Sequence, residues 1–239
     1  MPLFPPSRQL RKNVSPVQLD SSPSGSECVN SVITNSMPNS NDARFVSARE
    51  AVRAHLPPIT SLSNEQCARI IKRYSAAIGP NFVVWMAAAI VACRSVEGRF
   101  AASENVYIEV KDNHPGMLRD FAKRSQAEPD PADYTFVAPH VDRIQAEISK
   151  MSGLYLITLM GVLESTSAEF IPWLAEASRK LGNTDFHYTD VHGDADVEHA
   201  DQFRWALEKE AALHTDPNAT INKAMKMGTD FLVAALDPS

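Results

Sequence analysis

The segment Val191-His-Gly-Asp-Ala-Asp-Val-Glu-His199 holds the residue types most able to do chemistry. On a helical wheel at about 100° per residue, with His192 at zero, Asp196 falls near about 40° and His199 near about −20°. Ala195, Phe203 and Ala206 share that face, so it is expected to point into a core, while Asp194 and Glu198 are expected to point to solvent. Two imidazoles and a carboxylate on an apolar face need compensation, because burying an unpaired carboxylate is costly or drives it to the neutral form. A metal ion supplies it, and so does a hydrogen-bonded His/Asp cluster near the surface; on this segment alone both readings stand.

Glu164 adds weight to the metal. Its helical neighbours are Ile157, Met160, Gly161 and Ala168, and no Arg or Lys shares its face. Glu109 repeats the theme, since counting back along its helix gives Ala102, Gly98, Ser95 and Val91. Such small residues leave room for a ligand, and equally let another helix approach closely. His114 follows just beyond a break at Asp112-Asn113, where it could turn back beside Glu109 or cap a helix at the surface. The total is three carboxylates and three imidazoles. One iron or zinc ion rarely takes so many, whereas two metals sharing a bridging carboxylate do. Mixed His/carboxylate ligation suits iron or manganese, and helix bundles commonly house such pairs.

The elements that must position these residues read as helices throughout. A first helix is expected over Ser47–Leu56, stopped by Pro57-Pro58, and Ser63-Asn-Glu-Gln66 opens a second with a capping box. Gly79-Pro80 ends it, and a long helix is expected from Asn81 to Lys111. Pro115 sits at the start of a short helix, and Pro129-Asp130-Pro131 marks a loop. Further helices are expected over Pro139–Met151, Leu154–Ala168, Pro172–Gly182 and Asp185–His214. A last helix after Asp216-Pro217 carries the stripe Ile221, Ala224, Gly228, Phe231, Leu232 and Ala235. No alternating strand and no internal repeat is found.

Composition bounds the rest. The chain has 239 residues, 44% hydrophobic and 22% charged, and a net charge of −6 that argues against a broad nucleic-acid-binding surface. Residues 1–40 are rich in Pro, Ser and Asn and are expected to be a disordered tail before a single helical domain over 41–239. Arg8, Arg11 and Lys12 among serines faintly resemble a transit peptide, but there is no apolar core of a secretory signal. Without one, the glycosylation-type sequences at Asn13 and Asn218 read as chance. The longest apolar run, Phe82 to Cys93, is too short to span a bilayer. Cys28, Cys67 and Cys93 fit no zinc or disulfide pattern, and Cys67 and Cys93 read as small core residues. A cytoplasmic protein without membrane contact is expected.

The ordered set Asn105-Val-Tyr-Ile-Glu109, His114-Pro-Gly-Met-Leu118, Leu163-Glu164-Ser165 and His192…Asp196…His199 resembles the haem-oxygenase-like diiron oxidase and oxygenase superfamily, related in fold to thiaminase-like proteins. The resemblance covers roughly residues 45–235. It implies an all-α, haem-oxygenase-like helical bundle of about seven to nine helices, with Glu109, His114, Glu164, His192, Asp196 and His199 as ligands to two iron ions. The gap from Glu109 to His114 is shorter than in members where the two lie two helical turns apart. The resemblance further implies dioxygen as cosubstrate and oxidation of an amino acid or small amine-derived metabolite in specialised biosynthesis. N-oxygenation, decarboxylation, C–C cleavage and rearrangement such as nitrile formation all occur in the family. An external electron donor and a homodimer are compatible with it. Two rivals share the fold: a metal-free thiaminase-like hydrolase, which wants an activated cysteine beside a carboxylate, and a non-catalytic bundle binding haem or a partner.

Overall fold

The computed structural model describes residues 43–239, apart from the side chains of Asp194 and Ala195. The expected tail and Cys28 therefore lie outside the described residues, as do the expected orientations of Asp194 and Ala195. Among the described residues there are nine α-helices, one short 3-10 turn at Ile59–Ser61 and no strand. The helices are α1 (Ala43–Ala54), α2 (Asn64–Ile78), α3 (Phe82–Ala92), α4 (Val96–Lys111), α5 (His114–Arg124), α6 (Pro131–Ile148), α7 (Gly153–Lys180), α8 (His187–Ala211) and α9 (Asn218–Ala235).

The bundle is organised around α7, which packs against α8, α9, α1, α3 and α2. Every residue of α7 from Gly153 to Ser167 is buried, and the stretch is mostly apolar because it has neighbours on all sides. It is long and apolar enough to cross a membrane, yet 89% of that stretch is buried inside the protein, which makes it the core helix. The segment Asn64–Ala92 passes the same length and composition test, but the turn at Gly79–Asn81 divides it into α2 and α3. Gly228 lets α9 close on α7, since a Cβ there would stand 2.9 Å from Val162 Cγ1. Gly153 does the same against the chain before α4, where a Cβ would meet Cys93 Cα at 2.6 Å.

Local chemistry explains most of the boundaries. Ser63 and Gln66 form the capping box of α2 as expected. The C-terminal stripe of α9 is buried along its full length. Cys67 and Cys93 are buried free thiols.

Four boundaries depart from the sequence reading. The expected helix Asn81–Lys111 is two helices, broken at Cys93–Ser95. Ser95 caps α4 by accepting from Gly98 N, and the Glu210 carboxylate binds the Arg94 and Ser95 amides, so the break is made by a residue more than 100 positions away. Val91 consequently lies on α3 and is exposed rather than on the face of Glu109. Pro139 lies inside α6, which starts at Pro131 because Asp130 and Asp133 cap it. Pro172 lies inside α7, which runs unbroken to Lys180. Tertiary packing on both sides of Pro172 holds the turn that its missing N–H would weaken. The first helix begins earlier than expected, at Ala43, and ends at Ala54.

Candidate metal centre

Four helices, two of them joined by a tight turn, deliver the six side chains. Glu109 sits in the last turn of α4. The chain then reverses through Asn113, whose φ of 58° is left-handed, a conformation that Asn tolerates better than most residues. This reversal brings His114, the first residue of α5, back over the end of α4, where its Nδ1 lies 2.8 Å from Glu109 Oε1. The short spacing between the two residues is thus what the turn requires. Glu164 projects from the middle of α7. His192, Asp196 and His199 share one face of α8, as the wheel places them, and Glu198 is exposed.

The six groups form two clusters: Glu109, His114 and His192 in one, Glu164, Asp196 and His199 in the other. In each, one potential ligand atom per residue lies within 4.8 Å of the other two. None of the six residues is more than 9% exposed. The His114 and His192 rings pack against each other at 4.6 Å between centroids, tilted by 57°. His192 Nδ1 donates to the Tyr188 carbonyl at 2.7 Å, which fixes the tautomer and leaves Nε2 as the free nitrogen. In the other cluster, His199 Nδ1 stands 3.6 Å from Glu164 Oε2, too far for a good hydrogen bond.

The electrostatics of this arrangement are unresolved by protein groups alone. Burial pushes Glu164 above the usual carboxylate range, although His199 pulls the other way. Burial and the neighbouring Glu164 push Asp196 well above its ordinary value. Burial lowers His192 to about 4, only partly opposed by the Tyr188 carbonyl. Burial also works against charge on His199, but Glu164, Asp196 and Glu109 outweigh it and raise the ring to about 9. Glu164 Oε1 and His199 Nδ1 have no hydrogen-bond partner at all. Orphaned, buried donor and acceptor atoms that converge in this way fit a divalent cation, which compensates carboxylates and takes imidazole nitrogen together.

A cavity of about 40 Å³ opens against both clusters. Ile78, Phe82, Val83, Leu118, Phe170 and Leu232 give it an apolar wall. Two residues that the sequence reading passed over, Tyr74 and Tyr188, complete it, with their hydroxyls 2.9 Å apart and both buried. Tyr188 stands one turn before His192, so the periodicity that links His192 to Asp196 also carries the signal for it. Tyr74 sits in an ordinary apolar stripe of α2 and carries no such mark. A second cavity, lined by Arg49, Ser165 and Arg204, reaches Glu164 and Asp196 from the side of α1.

The profile of a family described as iron-containing redox enzymes matches residues 74–230, more than half of the chain and all six clustered residues. This chain belongs to that haem-oxygenase-like family. Among solved structures, it is similar to a TenA homologue from Pseudomonas syringae pv. tomato, with a TM-score of 0.55 and 14% identity over 85% of this chain and 96% of that one. At that identity the likeness extends to the fold alone. No curated protein matches the sequence. The all-α fold expected from the sequence, and its haem-oxygenase-like type, are thereby established for this iron-containing redox family member.

Proposed function

We propose that the protein is a non-haem, dioxygen-dependent oxidase or oxygenase whose two clusters each hold one iron ion. Glu109, His114 and His192 would bind one ion, and Glu164, Asp196 and His199 the other. The observation that carries this reading is the pairing of two buried His/carboxylate triads beside one cavity, whose wall all of them but His199 line. When bound, paired ferrous ions supply electrons to dioxygen and so a means of oxidising an unactivated bond.

The chain's own contribution is position and environment. Tyr188 holds His192 by its carbonyl, so that Nε2 faces inward. The apolar wall excludes water and receives the hydrocarbon part of a small substrate. The substrate class proposed is an amino acid or a small amine-derived metabolite. An external electron donor completes turnover where the substrate supplies too few electrons.

The metal-free hydrolase is disfavoured by the two thiols among the described residues. Neither Cys67 nor Cys93 lines the cavity. Burial raises both, Cys93 to about 12, opposite to what an activated nucleophile needs. A direct test is dioxygen uptake by protein loaded anaerobically with ferrous iron and then exposed to air with a panel of amino acids and amines. Uptake that depends on iron and on one of these substrates is expected. Equal turnover by metal-free or zinc-loaded protein would overturn the proposal.

A further inference from the structure

The cavity beside the two clusters is small. At about 40 Å³ it has room for about three water-sized groups, far less than a whole amino acid. A larger chamber of about 320 Å³ lies next to it, open to solvent. The two have Gly79 and Leu118 in common, and of these only Leu118 contributes a side chain to the shared wall.

The outer chamber differs in chemistry from the inner one. Its rim carries Arg119 from α5 and Glu128 from the α5–α6 loop, and neither has an ion-pair or hydrogen-bond partner among the described residues. Tyr134 adds a half-exposed ring and hydroxyl. Deeper in the wall, Ser75 is 6% exposed, with its hydroxyl shut off from the chamber. One unpaired cation and one unpaired anion around one chamber match a zwitterion. The inner cavity, whose wall is apolar apart from the clusters, Ser167 and the tyrosine hydroxyls, matches a short hydrocarbon chain.

We infer that the substrate site is divided at Leu118: the outer chamber holds the ammonium and carboxylate of an α-amino acid, and its unbranched apolar side chain passes Leu118 into the inner cavity. Arg119 binds the carboxylate and Glu128 the ammonium. The carbon atoms presented to the clusters are those far from Cα, so oxidation falls on the distal side chain rather than on the α-amine. This rests on the proposed oxidative function for its chemical consequence, but not for the binding itself.

Isothermal titration calorimetry on the full chain tests it, with metal-free protein and with protein loaded anaerobically with ferrous iron. The probes are L-norleucine, hexanoate, pentylamine and glycine. L-Norleucine is expected to bind both forms, and hexanoate and pentylamine, each lacking one charge, about tenfold or more weakly. Arg119→Gln and Glu128→Gln alter exposed side chains and leave the fold intact; each is expected to weaken L-norleucine by about tenfold or more. Leu118→Trp is expected to weaken L-norleucine while sparing glycine, whose side chain never reaches the wall. Hexanoate binding as tightly as L-norleucine, or an unchanged affinity in Arg119→Gln, would overturn the inference. If L-norleucine binds metal-free protein but iron does not, the proposed function fails and this division stands.

Discussion

Glu210→Ala should be among the most destabilising single changes outside the metal centre. Glu210 is fully buried on α8 and accepts from Arg94 N at 3.0 Å, Ser95 N at 2.8 Å and Ser95 Oγ at 2.6 Å. These contacts fasten the start of α4, the helix that carries Glu109, to α8, the helix that carries three of the other clustered residues. Removing the carboxylate strands two backbone amides, each costing about 1–3 kcal/mol, and opens a cavity as well; a total of about 3–5 kcal/mol follows. At about 2–4 °C per kcal/mol for a chain of this size, the melting temperature should fall by roughly 10 °C. Glu210→Gln keeps one acceptor and should lose about half as much. The effect has a pH signature. Burial alone would raise the Glu210 carboxyl, but the Ser95 hydroxyl and the Ser95 and Arg94 amides outweigh it and hold it below its ordinary 4.5. The folded state therefore binds this proton less readily than the unfolded chain. The stabilisation is fully present above about 4.5 and is lost as pH falls through the depressed folded value. Urea denaturation of wild type and both variants at neutral and acid pH measures this. A loss below about 1 kcal/mol at neutral pH, or a difference that grows on acidification, would refute the reasoning.

Three further outcomes are expected. Tyr74→Phe leaves the buried Tyr188 hydroxyl without its partner and should cost about 1–2 kcal/mol by urea denaturation, whereas adding Tyr188→Phe should recover part of that loss in a double-mutant cycle. Metal binding should release protons, because His199 is held protonated up to about 9 in the metal-free protein and must be neutral to ligate. Zinc affinity measured by competition with a chelator should thus rise from neutral pH towards about 9, by about tenfold per pH unit for each proton released, and a flat profile would count against His199 as a ligand. A chain beginning at Asn41 should keep its iron binding and its oxygen uptake, and a large loss of uptake with iron retained would show that the preceding residues serve the site.

Much of the architecture was legible because it is local. The capping box at Ser63–Gln66, the stop at Gly79 and the stripe on α9 are each set by neighbours within a turn or two. What was not legible depended on distant partners. Nothing near Ser95 announces that Glu210 will cap its amide, so the break between α3 and α4 could not be read locally. Pro139 and Pro172 looked like boundaries because a proline weakens a helix, yet packing carried both helices through them. At the candidate site, the periodicity of α8 gave His192, Asp196 and His199 together, and the apolar run of α7 made Glu164 conspicuous. The break at Asp112-Asn113 left two outcomes for His114, and the left-handed conformation of Asn113 decides for the one beside Glu109. Arg119 and Glu128 look like ordinary surface charges until the chamber between them is seen.

The most direct measurement is the number of iron ions bound per chain after anaerobic loading and removal of excess metal, in wild type and in variants of each cluster. The account predicts two ions in wild type. It predicts about one in His114→Ala and about one in Asp196→Ala, each losing the ion of its own triad while the other remains. Mössbauer spectra of the two variants should differ, since the surviving ion has different ligands in each. One iron or none in wild type, or His114→Ala that still holds two, would contradict the assignment of one metal to each triad.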